Sequence, residues 1–232
     1  MRIFSGLSLG LVGPEDRLVI LCPRIGVFDF EKQAVFEWLD FPCLGFRFCR
    51  CSCRLGPFAF VVWCGRHPGG GFPEAEAFEL SADLVGSSGK VIAIDIQDCA
   101  IQSTRERLES AGLIDRVRLV SEDHATALGK LIEANREKVA AITFNLGYLP
   151  GSDKSIQTRA ESTEAALAAS IQLLVPGGCL CVTAYRGHSG GTVEAATVEA
   201  FMRKYQTEGH AVDYHEPESS NSPPVLWVLM KS

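Results

Sequence analysis

Ala141-Ile-Thr-Phe-Asn-Leu-Gly-Tyr-Leu-Pro-Gly-Ser-Asp-Lys154 is the stretch on which the fold turns. The apolar run from Ala140 to Phe144 stops abruptly at Asn145. Its length and β-branched content suit a buried parallel strand. A loop built on Gly147, Pro150 and Gly151 follows, carrying Tyr148, Asp153 and Lys154. In open α/β sheets, ligands bind just outside the carboxyl ends of the strands. The loop therefore falls where that architecture does its chemistry.

Strand and helix patterns alternate on either side of this stretch. Lys90 to Asp95 reads as a strand, followed by a helix that Asp98 can cap, with Ile101, Thr104, Leu108 and Ala111 at helical spacing and Gly112 ending it. Arg116 to Ser121 is the next strand and Ala125 to Asn135 the next helix. Beyond the loop, Arg159 to Leu174 is a helix with Thr163, Leu167, Ser170, Ile171 and Leu174 on one side. A turn at Pro176-Gly-Gly178 leads into a strand from Cys179 to Tyr185. A helix from Thr192 to Tyr205 carries Val193, Thr197, Phe201 and Lys204 at helical intervals. Val212 to His215 and Val225 to Met230 read as closing strands, separated by Pro223-Pro224 rather than by a helix. The alternation predicts an α/β fold, a mostly parallel sheet with helices on both faces and an antiparallel C-terminal edge.

Residues 76–232 thus read as one domain. Residues 1–75 form an irregular segment of another character, in which Phe, Cys, Gly and Arg crowd without sustained periodicity. It reads either as a degenerate first strand or as translated sequence from a misplaced gene model. Nine cysteines occur in the chain. Six precede residue 65, and Cys49-x-Cys51-x-Cys53 has metal-ligand residue types but not the C-x₂-C spacing of common zinc motifs, so no metal is expected. Cys99, Cys179 and Cys181 read as reduced core thiols.

The formal net charge of -6 argues against a broad basic nucleic-acid surface, while leaving room for a local basic patch that holds a small structured RNA. No apolar run approaches the length of a membrane span. The start of the chain is a poor signal peptide and lacks transit-peptide composition. The expectation is a cytoplasmic protein, with a plastid or mitochondrion as the alternative.

Asp95 ends its strand, where a carboxylate can accept hydrogen bonds from ribose hydroxyls of a dinucleotide or of S-adenosylmethionine. Asp123 and His124 follow the next strand at the equivalent place. They can contact an adenine edge, or Asp123 can cap the helix with His124 exposed. The only Gly-rich candidate upstream is Cys64-Gly-Arg-His-Pro-Gly-Gly-Gly-Phe72, whose flanking prolines and spacing suit a linker better than a nucleotide loop.

Several strings in this order resemble the rRNA methylase family of class I methyltransferases. They are Asp95-Ile-Gln97, Ala100-Ile-Gln-Ser-Thr104, Phe144-Asn-Leu-Gly-Tyr-Leu-Pro-Gly-Ser-Asp-Lys154, Leu174-Val-Pro-Gly-Gly178, Tyr185-Arg-Gly-His-Ser-Gly-Gly191 with Glu194, and Asn221-Ser-Pro-Pro224. The resemblance begins near residue 77. It implies a Rossmann-like fold and S-adenosylmethionine as cofactor. Some members methylate the aminomethyl group of 5-aminomethyl-(2-thio)uridine at the tRNA wobble position, which implies tRNA or another structured RNA as partner, no membrane, and a homodimer as one assembly. The family usually has an acidic Gly-Asn-Gly loop after its first strand, and no such string occurs here.

Carried over residue by residue, the resemblance implies cofactor contacts at Asp95, Ile96, Gln97, Asp123, His124, Asn145 and Leu146. It implies catalytic roles for Asn145, which holds the nucleophile beside the methyl, for Tyr148, which stacks on the base or lines the methyl pocket, and for Asp153, which takes or orients the ammonium proton. Lys154, Tyr185, Arg186, His188, Asn221 and Pro223 are the implied substrate contacts, with Arg186 standing where the family usually has Pro. Two rival readings stay open. One is a non-catalytic RNA-binding homologue deficient in cofactor binding for want of the Gly-rich loop. The other is a nucleotide-dependent oxidoreductase on the same architecture.

Overall fold

A computed structural model of the chain describes residues 78–79, 81–82, 85–134, 139–147, 158–187, 189–216 and 224–232, together with the backbone of six short strands before them. Those strands are β1 (Leu9–Gly10), β2 (Leu18–Cys22), β3 (Glu31–Lys32), β4 (Trp38–Phe41), β5 (Phe46–Cys51) and β6 (Val61–Val62). β1 pairs with β3, and β2, β5 and β4 form a small antiparallel sheet.

From residue 91 the chain runs β7 (Val91–Asp95), α1 (Asp98–Ser110), β8 (Val117–Ser121), α2 (His124–Ala134), β9 (Val139–Leu146), α3 (Ala160–Leu173), β10 (Leu174–Ala184), α4 (Gly191–Thr207), β11 (Ala211–His215) and β12 (Val225–Met230). β7 pairs in parallel with β6 on one side and β8 on the other. β9 and β10 are parallel, and β12 and then β11 add antiparallel strands. β6 also lies against β9, which puts the two groups of parallel strands side by side. The alternating parallel interior and antiparallel edge agree with the sequence pattern.

The burial of β7 explains why its sequence is apolar from Val91 to Ile94. Val91 and Ala93 join Phe78, Ala82, Leu108, Leu113 and Val117 in one cluster, whereas Ile92 and Ile94 join the larger cluster with α2, α3 and α4. A parallel strand buried on both faces has no side to give to polar residues. Each fully buried Leu or Ile contributes about 1.5–3 kcal/mol relative to exposure.

The elements differ from the sequence pattern at instructive places. β9 runs two residues past Phe144, so Asn145 and Leu146 are still paired with β10. Asp98 is the first residue of α1 rather than its cap and accepts a hydrogen bond from the Ser121 hydroxyl. Cys99 is exposed, not a core thiol, because it lies on the outer side of α1; Cys179 and Cys181 are buried and free. The face of α4 that packs is Glu194, Ala195, Val198 and Met202, while Val193 stands 63% exposed. The periodic set beginning at Val193 is rotated one residue from the packed face.

Pro176-Gly-Gly178 is an irregularity at the start of β10 rather than a separate turn. Lys231 pins it: Gly177 N–H donates to the Lys231 carbonyl at 2.7 Å, and Lys231 N–H donates to the Gly178 carbonyl at 2.8 Å. The Lys231 ammonium donates to the carbonyls of Ile171 and Leu174, each at 2.7 Å, closing the end of α3. A Cβ on Gly178 would meet the Val175 carbonyl oxygen at 2.8 Å, so only glycine fits there.

Candidate active site

The carboxyl ends of the parallel strands carry the polar residues. At the end of β7, Asp95 is buried and its carboxylate accepts the Gln97 N–H at 2.7 Å. Gln97, also buried, is the residue that precedes α1. Between them Ile96 is 54% exposed, an apolar side chain beside an acid at a strand tip. The Asp95 carbonyl accepts the Glu122 N–H at 3.0 Å, tying the β7 and β8 ends together.

Asp123 follows β8 as an N-cap. Its carboxylate accepts the N–H groups of Ala125 at 2.9 Å and Thr126 at 3.1 Å, satisfying donors that α2 cannot pair internally. His124, in contrast to the exposed side chain that the capping alternative implied, is buried. Its ring sits edge-on to Phe144 of β9 with centroids 5.8 Å apart, and its Nε2 is 3.2 Å from the Ser162 hydroxyl of α3. Burial holds its pKa below the ordinary value, with the Asp123 charge opposing. His124 thus brings the β8 end against the β9 end.

At the end of β9, Asn145 is buried and in register with Thr183, and Leu146 with Ala184. The chain then turns at Gly147, whose φ of 142° favours glycine. Gly147 N–H donates to the Thr158 hydroxyl at 2.8 Å, and Thr158 N–H donates to the Gly147 carbonyl at 2.9 Å. The Thr158 hydroxyl donates to Glu194 at 2.7 Å, and that of Thr163 donates to the other Glu194 oxygen at 2.6 Å. The sequence names Glu194 among the residues that carry the family resemblance, but assigns no role in the site to it, to Thr158 or to Thr163. An acid on the packed side of α4 was the available signal, hidden by misreading which side packs.

After β10, Tyr185 is partly buried, and Arg186 pairs with Glu216, which also accepts the Tyr214 hydroxyl at 2.5 Å. The Tyr214 hydroxyl and then the Arg186 guanidinium hold the Glu216 carboxyl below its usual range. Tyr148, Asp153, Lys154, His188, Asn221 and Pro223 lie outside the described residues, as does the Gly-rich stretch; of the cysteine-rich stretch only the backbone of β5 and β6 is described. Among the described residues no three His, Cys, Asp or Glu side chains gather as a metal site, and no helix is long and apolar enough to cross a membrane.

This set of polar strand ends coincides with a family match. The model described as "Putative rRNA methylase" matches residues 91–231. The chain belongs to the rRNA methylase family. Its structure is similar to a "putative rRNA-methylase" from Clostridium thermocellum, with 34% identity, a TM-score of 0.65, and coverage of 75% of this chain and 89% of that one. It is also similar to a "putative methyltransferase" from Streptococcus mutans in complex with SAH, with 26% identity, a TM-score of 0.61, and coverage of 75% and 89%. These neighbours give the chain the Rossmann-like class I methyltransferase fold. A curated relative, the chloroplastic tRNA (mnm(5)s(2)U34)-methyltransferase of Arabidopsis thaliana, is 43% identical over 122 residues. That alignment takes in 51% of this chain and 44% of the relative, so this rRNA methylase family member spans less than half of that protein's length.

Proposed function

We propose that this chain transfers a methyl group from S-adenosylmethionine to a nitrogen of a structured RNA, the aminomethyl group of a modified wobble uridine in tRNA. The observation that carries the reading is the pair of buried polar strand ends, Asp95 on β7 and Asn145 on β9, with β6 lying against both strands. The curated relative's name supports tRNA as the acceptor and supports the plastid alternative over the cytoplasm. We assign the activity to the domain at residues 76–232, with β6 completing its sheet.

The residues suit the cofactor. A buried carboxylate held by a backbone N–H is a preset acceptor for ribose hydroxyls, and the exposed Ile96 beside it offers an apolar surface to an adenine. Gln97, Asp123, His124, Asn145 and Leu146 complete the contact set in this proposal. When bound, the cofactor supplies an electrophilic methyl on a sulfonium. The remaining work is positioning and exclusion of water, which need no metal. Asn145 holds the acceptor nitrogen in line through its amide. Tyr148 stacks on the base or lines the methyl pocket, Asp153 takes or orients the ammonium proton, and Lys154, Tyr185, Arg186, His188, Asn221 and Pro223 hold the RNA. A wobble base, already in a loop, reaches such a pocket at modest unstacking cost.

Two measurements test this. Calorimetry with SAH reads cofactor binding, and mass analysis of nucleosides from tRNA carrying an aminomethyl wobble uridine, incubated with the protein and S-adenosylmethionine, reads transfer. SAH binding with a 14 Da gain on that nucleoside (about one CH₂) supports the proposal. Binding without any gain points to another acceptor, and absence of SAH binding favours the non-catalytic homologue.

A further inference from the structure

The carboxylate of Glu194 lies inside the protein, 2% exposed, and both its oxygens are engaged by threonines from two different segments. Thr163, fully buried, belongs to the first turn of α3. Thr158 lies eleven residues beyond Gly147 in the chain, and its hydroxyl accepts from Gly147 N–H while donating its own proton to Glu194. The chain of donors is Gly147 N–H to Thr158 O–H to Glu194. It begins two residues beyond Asn145. The reciprocal bond from Thr158 N–H to the Gly147 carbonyl ties residues 147 and 158 to each other.

A carboxylate is costly to bury, and an aliphatic side chain on this face of α4 would pack without that cost. Both threonine hydroxyls need an acceptor here, and a carboxylate supplies one on each oxygen. We propose that Glu194 is a positioning residue for the methyl-transfer site. It acts through Thr158 and Gly147 to fix the tip of β9, and so the Asn145 amide, relative to α3 and α4. The role at Asn145 rests on the methyl-transfer reading, whereas the clasp itself does not.

The test uses the full chain with Glu194→Ala, Glu194→Gln and Thr158→Val. Hydrogen exchange followed by mass spectrometry reads the clasp without any activity. Glu194→Ala is expected to speed exchange at Gly147 and Thr158 about tenfold or more, while β7 and β12 keep wild-type rates. With tRNA, kcat is expected to fall about tenfold or more while KM for S-adenosylmethionine changes less than about twofold. Glu194→Gln retains one acceptor oxygen and is expected to recover part of both losses. Thr158→Val removes both hydroxyl links, that from Gly147 N–H and that to Glu194, while leaving Thr163 on the carboxylate, and is expected to resemble Glu194→Ala; it decides the matter if Glu194→Ala does not fold. Unchanged exchange at Gly147 and Thr158, or exchange that rises evenly across the whole sheet, overturns the proposal. So does an unchanged kcat. If wild-type protein methylates no RNA, the proposed function fails, and the exchange pattern alone still decides whether Glu194 holds the tip.

Discussion

The backbone N–H of Gln97 donates to the carboxylate of Asp95 at 2.7 Å, so the residue just before α1 also fixes the acid that ends β7. The acid is thereby oriented before any ligand arrives. Asp95→Ala is expected to weaken SAH binding about tenfold to a hundredfold, the worth of a hydrogen bond to a charged group. Asp95→Asn keeps an acceptor for Gln97 and should lose less. Calorimetry with SAH measures both, and equal affinities for wild type and Asp95→Ala would remove Asp95 from the cofactor site.

Asn145 should separate binding from rate. It is buried at the end of β9 and, in the proposed reaction, holds the acceptor through its amide while also bordering the cofactor. Asn145→Ala is expected to lower kcat about tenfold to a hundredfold, in line with losing one positioned polar group. SAH affinity should stay within about threefold, because the ribose contacts at β7 are untouched. A parallel loss of affinity and rate in calorimetry and single-turnover assays would remove the acceptor role from Asn145 and leave only its cofactor contact.

Asp123 supplies a stability prediction independent of function. Its carboxylate caps α2 through Ala125 and Thr126. Asp123→Ala should cost about 1 kcal/mol, and Asp123→Asn much less. In a chain of this size that is a fall of about 2–4 °C in Tm for the alanine variant. Thermal unfolding of the three proteins checks the order. An alanine variant as stable as wild type would mean that the cap contributes nothing.

The parts of the molecule that were legible in its sequence are those where one physical demand acts alone. β7 is apolar from Val91 to Ile94 because both faces are covered, and Val91–Asp95 could be read directly. The end of β9 was less sharp, because Asn145 and Leu146 remain in the ladder although Asn145 is polar. α4 misled for a related reason. Its packed face contains Glu194, made acceptable inside by two threonines that lie far away in sequence, and no local pattern announces such partners. Cys99 misled because cysteine is usually buried, yet its place on α1 is set by neighbours such as Ile101 and Leu108 that take the inner side. β6 has only two residues, too few for any periodicity, and only its pairing with β7 reveals it as a strand.

His124 gives the protein a pH dependence with a definite sign. Burial among Phe144 and Ser162 lowers its pKa in the folded state below the ordinary 6.5. The unfolded chain therefore takes up a proton on this ring before the folded chain does. Between the depressed folded value and 6.5, the unfolded state binds more protons, so stability falls as pH falls through that window. Above 6.5 the ring is neutral in both states and contributes no slope. His124→Gln cannot titrate, and its amide can still reach the Ser162 hydroxyl. Thermal unfolding from about pH 7.5 to about pH 5.5 should therefore show a steeper loss of Tm in wild type than in His124→Gln. The carboxylates are common to both proteins, so the difference between the two curves isolates the ring. Curves that run parallel across that range would show that His124 titrates as an ordinary solvent-exposed histidine does, and that its buried contacts with Phe144 and Ser162 do not persist in solution.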